Sequence, residues 1–207
     1  MKDISQVKIV LASNSPRRKE LLKNLGMEFS VRPANVEEDA DRSLPPEKYV
    51  AECARQKADC IAKTAREDEL IIAADTMVFK DNMLLGKPKS EDDARNMLTM
   101  LRSSVHQVYT GVSLYYKGKT VSETEITKVY FRDISDSEID AYIKSAEPYD
   151  KAGAYGIQSF GALFAERIDG DFSNVIGLPI CRLSKMLKEH FGFEILCRAK
   201  QIENNQR

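Results

Sequence analysis

The chain has 207 residues, a formal net charge of −1, and 43% apolar and 30% charged residues, the profile of a soluble globular protein with room for a sizeable core. Such an even balance leaves no electrostatic footprint for a nucleic-acid polymer or a membrane surface, and no stretch is apolar enough to span a bilayer. The four cysteines, Cys53, Cys60, Cys181 and Cys197, form no Cys-x-x-Cys pair and read as reduced core residues of a cytoplasmic protein rather than as a zinc site.

The apolar run Val7, Ile9, Val10, Leu11 predicts a strand that stops at Ser13-Asn14-Ser15. Pro16 then opens a helix, with Ser15 as N-cap, Leu21, Leu22 and Leu25 as its apolar stripe, and Gly26 as its stop. A helix N-terminus directly after a strand offers free backbone N–H groups and the positive end of the dipole, an anion site. Arg17 and Arg18 sit in that first turn, where the dipole disfavours cations. A bound polyanion would explain them; two solvated arginines are the alternative.

Met27 to Pro33 alternates like a strand and is followed by an acidic loop, residues 34–41, in which a carboxylate could hold a hard cation such as Mg²⁺. Pro45 and Pro46 open a helix to about Ala65 whose apolar seam runs Val50, Cys53, Lys57, Ile61. Lys57 is a cation where packing prefers leucine. It either snorkels along the helix or reaches a polar cleft. Leu70 to Phe79 reads as a central strand buried on both faces, with Asp75 in its middle. A carboxylate there is costly unless paired, hydrogen-bonded or bound to metal. Lys87 follows in a Gly-Lys-Pro loop, and Ser90 caps a helix that carries Ala94, Met97, Leu98 and Leu101 inward.

Residues 107–116 and 120–132 predict an antiparallel hairpin turning at Lys117-Gly118-Lys119, and Ser135 caps a further helix to about Ser145. The glycine-rich stretch Tyr149 to Gly161 is too varied for a linker and suits close backbone approach; its Gln158 offers a donor–acceptor pair for a base edge. A strand (162–168), a turn at Asp169-Gly170-Asp171 and a final amphipathic helix (180–190) complete the pattern. Two isolated histidines, His106 and His190, argue against a histidine metal site or a Ser-His-Asp triad. The expected fold is α/β: a mixed, strongly twisted sheet flanked by helices, with two lobes around a cleft. One domain is expected over residues 1–199, with a frayed polar tail over 200–207.

An ordered series of these stretches resembles the Maf family of nucleoside triphosphate pyrophosphatases, also called septum formation inhibitor proteins. It comprises Leu11-Ala12-Ser13-Asn14-Ser15-Pro16-Arg17-Arg18, Val36-Glu37-Glu38, Ala54-Arg55-Gln56-Lys57-Ala58, Ala74-Asp75-Thr76 and Gly86-Lys87-Pro88, then residues 150–158 and 175–179. The resemblance implies an inosine triphosphatase-like fold and hydrolysis of the α–β anhydride of a nucleoside triphosphate to a monophosphate and pyrophosphate. It implies Asp75 as general base, Glu38, Lys57 and Lys87 in the same cleft, and the serine–arginine turn as phosphate site. Arg17, Thr76 and Gln158 are similar to the dTTP/UTP group rather than to the sister group acting on 7-methyl-GTP. A homodimer would be in keeping with the family.

Together these readings assign Ser13, Ser15, Arg17 and Arg18 to the phosphates, and Glu38 and Asp75 to a divalent cation, Mg²⁺ or Mn²⁺. Lys57 and Lys87 are assigned to developing charge, and Thr76 with Gln158 to the pyrimidine edge. Two other readings stay open at the level of sequence. One is a nucleotide-binding regulator of cell division without catalysis; the other is the same chemistry directed at modified pyrimidine nucleotides.

Overall fold

The longest apolar runs form the centre of a mixed sheet. The computed structural model describes residues 2–36 and 40–196. Its elements begin with β1 (Lys2–Asp3), β2 (Lys8–Leu11), α1 (Pro16–Asn24), β3 (Phe29–Val31) and α2 (Pro46–Ala62). They continue with β4 (Glu69–Lys80), β5 (Met83–Leu85), α3 (Glu91–Leu101), β6 (Val105–Tyr116), β7 (Lys119–Phe131) and α4 (Asp136–Ile143). Three short 3-10 turns between Glu147 and Leu163 lead to β8 (Ala165–Asp169), α5 (Phe172–Ile176), α6 (Ile180–Phe191) and β9 (Phe193–Glu194).

The main sheet runs β3-β2-β4-β6-β7-β8, with β5 beside β4, while β1 and β9 pair separately. β2 is parallel to both β3 and β4, because helices α1 and α2 carry the chain back between them. From β4 onward the pairing is antiparallel, built on the long β6–β7 hairpin, which turns at Lys117-Gly118 with both residues at positive φ. The expected mixed α/β sheet is therefore present.

β4 divides its side chains between two layers. Leu70, Ile72 and Ala74 pack with α1 and α6 through Leu22, Leu183, Met186 and Leu187, and Val78 packs on the same face with α3 and α4. Ile71 and Ala73 meet Ala58 and Ile61 of α2 on the other face, where Met77 and Phe79 meet Tyr49, Val50 and Cys53. Asp75 and Thr76 fall between these apolar clusters, one on each face, so a polar belt crosses the core at the middle of the strand.

Several expected boundaries move. The strand expected over 162–168 starts only at Ala165. Before it, Ala162 N–H bonds Ser159 O and Phe164 N–H bonds Gly161 O, closing a 3-10 turn that alternation cannot reveal. α5 has five residues and is capped by Asp171, whose side chain accepts from the Ser173 and Asn174 N–H groups; a helix that short leaves no periodicity to read. β5 forms because Asp81 and Asn82 both adopt positive φ, which folds Met83 back onto Lys80. The expected tail lies outside the described residues.

Candidate active site

The cleft exists because one edge of β4 is left uncovered. β2 pairs with β4 only as far as Ile72, and β5 begins to pair at Val78, while β6 covers the opposite edge from Ile71 to Phe79. Between Ala73 and Met77 the strand edge is open. Asp75 and Thr76 lie in that gap, so both neighbours border the cleft although their side chains leave by opposite faces. The cleft measures about 940 Å³, of the size that takes a small-molecule ligand. Its walls come from the turn after β2, the loop after β3, the Gly86-Lys87 loop and the glycine-rich stretch.

Lys57 reaches from the α2 seam to Asp75 and donates to Oδ1. Of the two sequence readings of this lysine, the cleft-directed one matches its position. The pair is nearly dry, with side-chain exposures of 16% for Lys57 and 9% for Asp75. The other carboxylate oxygen, Asp75 Oδ2, is buried with no hydrogen-bond partner among the described residues. An ionised oxygen in that state is costly unless a ligand completes it.

On the opposite side, the start of α1 is built as the sequence predicts. Ser15 Oγ accepts from the Arg18 N–H, and Pro16 fills the first helical position. Ser13 Oγ accepts from the Ser15 N–H at 3.2 Å and from Arg18 Nη1 at 3.2 Å. Arg18 also donates from Nη2 to Thr76 Oγ1 at 2.9 Å and from Nε to the Gly177 carbonyl at 2.7 Å. Its guanidinium thus joins the phosphate turn, β4 and the segment after α5. Gly177 has φ 122°, where a side chain would be strained and would press on Thr76 Oγ1. Thr76 Oγ1 lies 3.0 Å from Thr110 Oγ1, which donates to the Asn174 carbonyl at 3.1 Å. Thr76 is therefore a junction within the polar belt.

Arg17, Lys87 and Gln158 line the cleft, the last two exposed on it. Glu38 lies outside the described residues; Asn35 and Val36, just before it, line the cleft. Sequence reasoning missed Asn14, Asn35, Arg42, Asp150 and Lys151, all on the cleft wall. For Lys151 a signal was there: a cation set among small residues in a stretch already read as approaching a ligand. Arg17 Nη1 donates to Asp150 Oδ2 at 2.8 Å, and Lys151 Nζ donates to Asp150 Oδ1 at 2.6 Å. Burial alone would raise the Asp150 carboxyl, but these two cations hold it below the usual carboxylate range.

The family model described as Maf-like protein matches residues 8–190. The chain belongs to the Maf-like protein family. Among relatives of this Maf-like protein, a dTTP/UTP pyrophosphatase of Thermoanaerobacter sp. is 47% identical over 192 residues, covering 92% of this chain and 100% of that one. A dTTP/UTP pyrophosphatase of Bacillus cereus is 45% identical over 182 residues, covering 88% and 95%. Among solved structures, a HAM1 protein from Coxiella burnetii aligns at a TM-score of 0.50 and 15% identity, covering 88% of this Maf-like protein and 99% of that chain, a likeness of fold alone. Among the described residues, no helix is long and apolar enough to cross a membrane.

Proposed function

We propose that this Maf-like protein is a nucleoside triphosphate pyrophosphatase that cuts the α–β anhydride of dTTP and UTP, releasing a nucleoside monophosphate and pyrophosphate. One observation carries the reading: a lysine-held carboxylate, with one buried oxygen that has no partner among the described residues, lies in an open stretch of β4 that lines the same cleft as the N-terminus of α1. The pyrophosphatase names of relatives at 45–47% identity support it.

A triphosphate brings about four negative charges, and its cleavage depends on alignment and charge neutralisation more than on covalent help. The α1 N–H groups and Arg17 receive the phosphates, and Lys87 and Lys151 add positive charge along the wall. Lys57 occupies Asp75 Oδ1 and so leaves Oδ2 as the oxygen that takes the proton of the attacking water. Arg18, already bonded to Ser13, Thr76 and Gly177, holds the turn in shape. Gln158 meets the base edge, while Thr76 acts on specificity through Arg18 and the Gly177 backbone.

A divalent cation, Mg²⁺ or Mn²⁺, fits the site. Asp75 Oδ2 is a hard oxygen ligand lacking a donor among the described residues, and its lone pairs leave room for a metal contact as well as a proton. Glu38 is the second expected ligand. Bound there, the ion supplies charge neutralisation to phosphate oxygens.

The test is pyrophosphate release by the purified chain from the common and the methylated nucleoside triphosphates, with and without divalent metal. Metal-dependent release from dTTP and UTP above the purine nucleotides is expected. Release from no triphosphate overturns the reading in favour of a non-catalytic regulator, and preference for methylated pyrimidines reassigns the substrate.

A further inference from the structure

The two cations Arg17 and Lys151 share one carboxylate, and this arrangement bears on how the cleft takes up and gives back its most charged ligand. Arg17 comes from the first turn of α1 and Lys151 from the segment after α4, yet Asp150 meets both, one oxygen each, at 2.8 and 2.6 Å. All three line the cleft. Lys151 has one further acceptor, the Glu147 carbonyl at 2.7 Å, which is uncharged. Asp150 is thus the carboxylate bonded to both cations, while the Glu147 carboxylate adds a charge interaction with Lys151 alone. The Asp150 side chain is 59% exposed, against 28% for Arg17 and 15% for Lys151, so it is the most open member of the three.

We propose that Asp150 is an internal stand-in for the pyrophosphate group, holding Arg17 and Lys151 until phosphates displace it and recapturing them as pyrophosphate leaves. The inference rests on the pyrophosphatase reading and extends it to substrate uptake and product release. Three facts support it. Asp150 presents the exposed half of both pairs to water, and screening there weakens its hold, so an anion of higher charge displaces the carboxylate readily. Asp150 stays ionised, since both neighbours favour its charged form, and it therefore competes throughout the neutral range. Arg18, by contrast, is tied to Ser13, Thr76 and the Gly177 carbonyl, bonds that hold the turn in shape. A competitor inside the site lowers apparent affinity by the fraction of time it occupies the cations. For pyrophosphate that means faster departure from a strongly positive wall.

The experiment measures binding of inorganic pyrophosphate to the full chain by calorimetry, together with steady-state hydrolysis of dTTP. Asp150→Asn is expected to bind pyrophosphate about three- to tenfold more tightly, with kcat and KM both lowered as product lingers. Asp150→Glu, which keeps the charge, is expected to return both toward the parent. Adding Arg17→Gln to Asp150→Asn is expected to remove the gain. The proposal is overturned if Asp150→Asn binds pyrophosphate no better than the parent, or if KM rises at unchanged kcat. It is equally overturned if Asp150→Asn fails to fold, because the carboxylate is then a structural tie. A parent chain that neither binds pyrophosphate nor hydrolyses any triphosphate overturns the functional reading itself, a result visible before any variant is made.

Discussion

Asp75 and Gly111 face each other across the β4–β6 register, and the bare Cα of the glycine lets a helix lie close enough to hand the carboxylate a lysine. A Cβ on Gly111 would stand 2.1 Å from the Val50 carbonyl oxygen of α2, so the helix backbone rests directly on the sheet there. Lys57 follows Val50 by two turns on the same face and reaches Asp75 from that height.

Gly111→Ala must therefore lift α2 from the sheet. Overpacking of this kind costs about 1–3 kcal/mol, and the lift draws Lys57 away from Asp75. Chemical denaturation should show the loss of stability and a pyrophosphate-release assay a loss of turnover larger than unfolding explains. An unchanged turnover in the folded fraction would mean that the pair does not depend on the height of α2.

Asp75→Asn should lower turnover by about 10²–10⁴-fold, the usual contribution of a positioned base. It also takes the Asp75 charge away from the largely buried Lys57 ammonium, so the melting temperature should drop. Adding Lys57→Met should recover stability while activity stays lost. If Asp75→Asn hydrolyses dTTP at the parent rate, Asp75 is not the base.

The two adjacent arginines should behave differently. Arg18→Lys replaces a planar fork reaching three acceptors by a single ammonium, and should cost about 1–2 kcal/mol of stability along with activity. Arg17→Lys should leave stability within about 0.5 kcal/mol and raise KM. Thermal melts paired with dTTP kinetics separate the two; equal melting temperatures for both variants would count against a joining role for Arg18.

Acid sensitivity should trace to His106. Burial, aided by the charge of Lys80, pushes its pKa down from 6.5 to about 3, and its Nε2 lies 2.7 Å from the Tyr155 hydroxyl beneath the cleft. Because the folded-state value is depressed, the unfolded chain binds the extra proton first. Stability is complete above about pH 6.5 and is lost as pH falls toward about 3, with about 2 kcal/mol gone by pH 5. Melting temperatures at pH 7 and pH 5 should differ less in His106→Gln than in the parent. Glu138, held down to about 2 chiefly by Arg132, contributes only at lower pH, so the upper window isolates the histidine.

Much of this was legible in the chain itself. The start of α1 was written in Ser15, Pro16 and the leucines after them, and the central strand in the unbroken run from Leu70 to Phe79. Lys57 breaks an apolar seam, and Asp75 breaks an apolar strand. Each is a local conflict with burial, and such conflicts mark polar sites. The short elements were hidden: α5 and the 3-10 turns depend on single caps and single hydrogen bonds, which leave no periodic trace.

Local pattern settled which residues had to be inside, where helices begin, and which charges were out of place, because burial and capping act within one or two turns of the chain. Which of those charges meet was decided by the fold. The open edge of β4 appears only when β2 stops at Leu11 and β5 ends at Leu85, opposite Val78, and the sharing of Asp150 by Arg17 and Lys151 joins segments 133 residues apart. Pairings across such distances depend on strand register and on how close a helix can lie, and those follow from packing the whole sheet at once.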